Sequence, residues 1–166
     1  AGVVDADAVA VNTATASATD ADNAAVAALV ANDLVQAINA TVTTGGTMAL
    51  DADASSTQTA SASNVGDIGG TDQDATAYVG GADFIKGIND STISSGGDSS
   101  QLTASATLVG TATADNMSGA SEARAGIESS VSGIESSTVT VGGDASNISF
   151  QGQSTQTATA SSVEDS

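Results

Sequence analysis

Three stretches of this chain alternate alanine with serine or threonine: Ser56-Thr-Gln-Thr-Ala-Ser-Ala-Ser63, Leu102-Thr-Ala-Ser-Ala-Thr107 and Ser154-Thr-Gln-Thr-Ala-Thr-Ala-Ser161. A period of two places one residue type on each face of a β-strand. Other segments carry apolar residues at steps of three and four. These are Val26, Leu29, Val30, Leu34 and Ile38; Tyr78, Ala82, Ile85 and Ile88; and Met117, Ala120, Arg124, Ile127, Val131 and Ile134. That spacing predicts three amphipathic helices. Asp20 and Asp22, Asp72 and Asp74, and Asp115 precede them, where carboxylates cap free N–H groups and face the positive end of a helix dipole. Gly80 and Gly81 weaken the second helix, and Gly126 and Gly133 the third.

The residues after each helical segment read as strand. Thr138-Val-Thr-Val141 alternates, Gly142-Gly143 suits the positive φ angles of a tight hairpin, and Asn147-Ile-Ser-Phe150 resumes the strand. The same order occurs three times. Ile38, Ile88 and Ile134 each precede a Thr- or Ser-rich run ending in Gly45-Gly46, Gly96-Gly97 or Gly142-Gly143. At the N-terminus, Val4-Asp-Ala-Asp-Ala8 matches Leu50-Asp-Ala-Asp-Ala54, and Asn12-Thr-Ala-Thr-Ala-Ser17 matches Gln58-Thr-Ala-Ser-Ala-Ser63. The expected fold is therefore a β-rich repeat protein with short helices: three helix–strand–Gly-Gly–strand units plus an extra N-terminal strand. The units divide as residues 1–22 (extra strand), 23–70, 71–115 and 116–166. Units of this size bury their apolar faces by stacking on neighbours.

Composition narrows the function. Lys86 and Arg124 are the only cations against 20 acidic residues, a formal charge of −18. Nucleic acids and anionic lipid surfaces are bound mainly by clustered Lys and Arg, so neither is expected as a partner. No apolar run is long enough to span a bilayer. His and Cys, the usual general base and the strongest side-chain nucleophile, are absent, and no enzymatic activity is expected. Leu, Ile, Val and Phe make up under a fifth of the chain, a composition typical of disorder. Against that stands the in-step repeat, which predicts order. The start at Ala1-Gly2 is what removal of a signal peptide leaves.

Four groups of residues are candidate sites. Asp5 with Asp7, and Asp51 with Asp53, recur at one repeat position and share a strand face; their carboxylate oxygens suit calcium, although a solvated acidic face is the plainer explanation. No other cofactor is expected. Asn39, Asn89, Asn116 and Asn147 lie in N-x-S/T sequons and are candidate glycosylation positions. Thr13 with Thr15, Thr57 with Thr59, and Thr155 with Thr157 form Thr-x-Thr rows. Stacked, these rows would be similar to the ice-binding face of β-solenoid antifreeze proteins, whereas the plainer explanation is that Thr favours strands. Lastly, Val3, Val4, Val9, Val11, Thr13 and Thr15 belong to the extra strand, which is expected to pair with another copy.

In composition and repetition the chain resembles secreted bacterial and archaeal surface and filament proteins. That resemblance implies an extracellular, self-assembling structural subunit. Strand addition, with residues Val3 to Thr19 completing a neighbour's sheet, is the expected mechanism, and further copies of the chain are the expected partner. The alternative is a ligand- or ice-binding repeat module of a larger secreted adhesin.

Overall fold

The computed structural model describes residues 1–18, 24–65, 74–116 and 120–162. Their strands, in chain order, are β1 (Gly2–Ala18), β2 (Ala25–Ala31), β3 (Leu34–Ile38), β4 (Thr41–Thr44), β5 (Met48–Asn64), β6 (Ala75–Asn89), β7 (Thr92–Ser95), β8 (Ser99–Asn116), β9 (Ser121–Glu135), β10 (Thr138–Val141) and β11 (Ile148–Ser162). They form three sheets in which all the pairings are parallel. Sheet A runs β1-β5-β8-β11 and sheet C runs β4-β7-β10. In sheet B, β6 is central, with β2 and β3 along one edge and β9 along the other. The chain passes through A, B and C and then begins again one level down. Each sequence repeat is thus one coil of a parallel solenoid.

Equivalent residues stack directly. Asp5 pairs with Asp51 and Ala14 with Ala60, while Ile88 lies between Ile38 and Ile134. Sheets A and B face each other across a core built largely of alanine columns. Ala60, Ala62, Ala112 and Ala114 from sheet A meet Ala25, Ala27, Ala75 and Ala77 from sheet B in one cluster. A second cluster, at the end closed by sheet C, holds the bulkier Met48, Leu50, Leu102, Ile38, Ile88 and Ile93. Small inward side chains let few large hydrophobes suffice, which is how a disorder-like composition still buries a continuous core.

The three expected helices are strands: no helix occurs among the described residues. The cause is visible in β2, where Ala25 and Ala27 are buried while Val26 and Val30 point outwards. The apolar residues that suggested one helical stripe are therefore split between two faces. In β6 the alternation changes phase. Ala75, Ala77, Val79, Asp83 and Ile85 are buried at odd positions on both sides of Gly80-Gly81, and the shift to the even-numbered Ile88 comes in the continuously buried run 85–88. Gly81 has φ = 135°, and an added Cβ would lie 1.7 Å from the Ala31 carbonyl oxygen. A slip of phase in a two-residue pattern imitates three- and four-residue spacing. Parallel neighbours in register then satisfy the backbone along each paired edge, so tertiary pairing overrides local propensity. Asp20, Asp22, Asp72 and Met117 lie outside the described residues. Neither described cap candidate meets a helix: the Asp74 carbonyl accepts from the Ala25 N–H and the Asp115 carboxylate from the Ser161 hydroxyl.

The Gly-Gly pairs are corners between sheets C and A, and the expected hairpin is not there. The strands flanking each pair belong to different sheets, and none of these six glycines has positive φ. Close stacking explains the residue type instead. A Cβ on Gly96 would lie 2.8 Å from the Gly45 carbonyl oxygen, and one on Gly142 would lie 2.8 Å from that of Gly96. At the corner between B and C, serine hydroxyls carry the stack. The Ser91 hydroxyl accepts from the Ala40 N–H, and the Ser137 hydroxyl from the Ser91 N–H.

Candidate functional site

The outer face of sheet A collects the sequence's sharpest candidates. Register builds a column of Asp5, Asp51, Thr103 and Ser149 beside one of Asp7, Asp53, Ser105 and Gln151. Four carboxylates thus lie on a flat grid, about 4.8 Å apart along a column and about 7 Å apart along a strand. Asp51 accepts hydrogen bonds from the Thr103 hydroxyl at 2.5 Å and the Gln101 amide at 3.1 Å, and Asp53 from the Ser105 hydroxyl at 2.5 Å. These bonds disperse charge across the face and occupy oxygens that calcium would need. Among the described residues no three acidic groups converge as metal ligands.

Towards the far end of the same face, Thr13, Thr59, Thr111 and Thr157 form one unbroken column, with Thr15, Ser61, Thr113 and Thr159 beside it. Thr57 and Thr155 belong to the preceding column with Val11 and Val109. Parallel pairing makes the Thr-x-Thr rows a regular array of hydroxyls and methyls.

Among the inward columns of sheet A that depart from alanine, one runs Asn12, Gln58, Gly110 and Gln156. Opposite it lie Asp33 and Asp83 of sheet B. The Asn12 amide donates to Asp33 at 2.7 Å, the Ser56 hydroxyl to the same oxygen at 3.0 Å, and the Gln58 amide to Asp83 at 2.6 Å. The Asp33 N–H donates to Asp83 at 3.0 Å. Asp83 is fully buried. Burial, and next to it the charge of Asp33, push its carboxyl above the usual value of 3.8, while the bonds from the Asp33 N–H and Gln58 pull the other way. Gln58 Oε1 has no hydrogen-bond partner. In the third coil Gly110 leaves room for Ile127, whose N–H and C=O both bond the Gln156 amide at 2.9 Å. Sequence reasoning overlooked this polar seam; its signal was an amide at inward parity in otherwise small-residue strands.

Lys86 is nearly buried, donating to Ser130 and forming an ion pair with Glu135. That bond is the main reason the Glu135 carboxyl sits below its usual value. Of the sequon residues, Asn39 is exposed beside Gln36, Asn89 bonds Asp90, and Asn147 has φ = 52° and donates to the Ser100 carbonyl. Asn116 is buried, its amide donating to the Ala120 carbonyl.

Comparison with protein-family models, curated proteins and solved structures finds no match to this chain. The functional reading therefore rests on geometry.

The solenoid's two ends differ. At one, β1 pairs within the chain along its whole length with β5, leaving its other edge open. Val4 of β1 packs inwards against the second core cluster. Val3, Val9 and Val11 point outwards and are 79, 69 and 68 % exposed, and Thr13 and Thr15 are exposed on the same face. Val26, Val30 and Leu34 extend this apolar character along the outer face of β2 and β3. At the other end β11 pairs with β8, and its Ile148 and Phe150 remain exposed. At two of these positions later coils carry polar residues: Val9 stacks on Ser55 and Thr107, and Val26 on Thr76 and Glu122.

Proposed function

We propose that the chain is a structural subunit of an extracellular filament or surface layer, and that copies join by strand addition at the ends of the solenoid. The observation that carries this reading is the placing of exposed apolar side chains. Val3, Val9, Val11, Val26, Val30 and Leu34 lie on the first coil and Ile148 and Phe150 on the last strand, and of the large apolar side chains among the described residues only Val65 and Phe84 are exposed in between. Open strand edges invite pairing, and exposed apolar patches mark contact surfaces. The charge of −18 keeps the free subunit soluble and makes assembly sensitive to salt. Head-to-tail contacts of this kind do not close on themselves and generate filaments. Electron microscopy of the purified chain, at rising protein and salt concentration, is expected to show fibres or sheets of uniform width. Monodisperse monomers throughout would overturn the reading.

One observation favours a second reading, in which the chain is a ligand- or ice-binding module of a larger secreted adhesin. The unbroken Thr column and its neighbour form a flat, repetitive array of the kind that orders water. Thermal hysteresis lost on Thr59→Lys with Thr111→Lys would support it, and freezing behaviour equal to that of an inert protein would exclude it.

A further inference from the structure

Resting on the filament reading, we infer that neighbouring copies join by strand exchange, in which β11 of one copy takes the place of β1 in the next. The three sheets do not have the same number of levels. Among the described residues sheet A has four, whereas sheets B and C have three. A copy placed below another can pair its β2 and β3 with the open edge of β9, and its β4 with the open edge of β10. Continuous ladders then run through B and C. In sheet A this leaves one position for two strands, the upper copy's β11 and the lower copy's β1.

The two candidates for that position are the same kind of strand. Thr157 belongs to the column of Thr13, and Ala158 to that of Ala14. Exchange keeps the Thr face outside and sets Ala158 and Ala160 in the columns of Ala14 and Ala16, while Phe150, Gly152 and Ser154 take the places of Ala6, Ala8 and Ala10. The new ladders in B and C, and the covering of Ile148 and Phe150, are net gains.

The contacts also indicate which strand yields. β11 is fixed to its own coil by two hydrogen bonds between Gln156 and the Ile127 backbone. It also approaches β9 so closely that a Cβ on Gly152 would lie 2.3 Å from the Val131 carbonyl oxygen. Among the described residues β1 has one inward side-chain bond, from Asn12 to Asp33. Gln156 occupies the Asn12 column, so in the exchanged junction its second amide hydrogen meets Asp33 of the next copy, as Gln58 meets Asp83 within one copy. β1 is then an internal stopper that holds the acceptor position until a neighbour's β11 displaces it.

The chain has no cysteine, which permits a direct test. Thr13 and Thr59 are adjacent in register, within disulfide reach at a strand spacing of about 4.8 Å. In the full chain carrying Thr13→Cys and Thr59→Cys, oxidation staples β1 to β5. Exchange predicts that the oxidised protein stays monomeric and that reductant restores fibres. Mixing two single variants, Thr59→Cys and Thr157→Cys, should give a covalent heterodimer in the fibres, because exchange makes these residues neighbours across the junction. Fibres that form equally well with the staple closed, or that cross-link Thr13→Cys to Thr157→Cys instead, would overturn exchange while leaving the filament reading intact. Absence of fibres from the unmodified chain would remove both.

Discussion

Sheets A and B enclose one core, yet they are built by different rules. In sheet A, alternation is nearly uninterrupted: β5 is inward at every even position from Met48 to Asn64, and its register with β1 runs unbroken for the length of the strand. Sheet B is cut and shifted. β2 and β3 are separate strands at one edge of β6. The inward phase changes within residues 85–88, and carboxylates enter the interior at Asp33 and Asp83. The contrast shows that uninterrupted alternation keeps a strand regular even with Met48, Leu50 and Leu108 inward, whereas a phase change and inward carboxylates break that regularity. Regularity in sheet A is also what the proposed exchange of β1 for β11 draws on.

If sheet B is fixed in place where its phase changes, truncating the bulky side chain there should have the largest effect. Ile88 is fully buried between Ile38 and Ile134, so Ile88→Ala should lower the unfolding free energy by about 2–5 kcal/mol, measured by urea titration. A loss below about 1 kcal/mol would mean that the end closed by sheet C is not tightly packed. Next, sheet A should resist enlargement. Ala112 is fully buried in an alanine column, and Ala112→Leu should cost about 1–3 kcal/mol by overpacking; no loss would show spare room between the sheets.

The polar seam gives a smaller effect that depends on pH. Because the folded pKa of Asp83 is raised above 3.8, its proton contributes stability that is complete below that value. This contribution is lost as pH rises through the folded pKa. In Asp83→Asn the Gln58 amide can turn so that Oε1 accepts from the new side-chain N–H. The variant should therefore gain on the wild type as pH rises from 3.8 towards neutrality. Thermal melts of both proteins that change in parallel with pH would assign the dependence to the general charge of −18 instead. The smallest effect belongs to the outer face, where Thr111→Ala should change stability by no more than about 0.5 kcal/mol. A larger loss would make the Thr column part of the structural framework rather than an exposed surface.

The repeat, the long strands of sheet A and the N-terminal place of the extra strand were all readable from residue order. Each depends on period, register offset or composition, and these survive without coordinates. The D-x-D pairs and Thr rows could likewise be assigned to one strand face, since i and i+2 always share it. Three things needed the tertiary structure. The segments around Ile38, Ile88 and Ile134 became strands because equivalent segments lie alongside to satisfy their backbones, and no local pattern carries that information. The Gly-Gly pairs became corners because stacked coils approach within contact distance there, a demand set by neighbours far away in the chain. The seam of Asn12, Asp33, Ser56, Gln58 and Asp83 arises only when sheet B is laid over sheet A. Residue order determined which side chains share a face; packing between coils decided which faces meet, because parallel stacking joins residues about fifty positions apart.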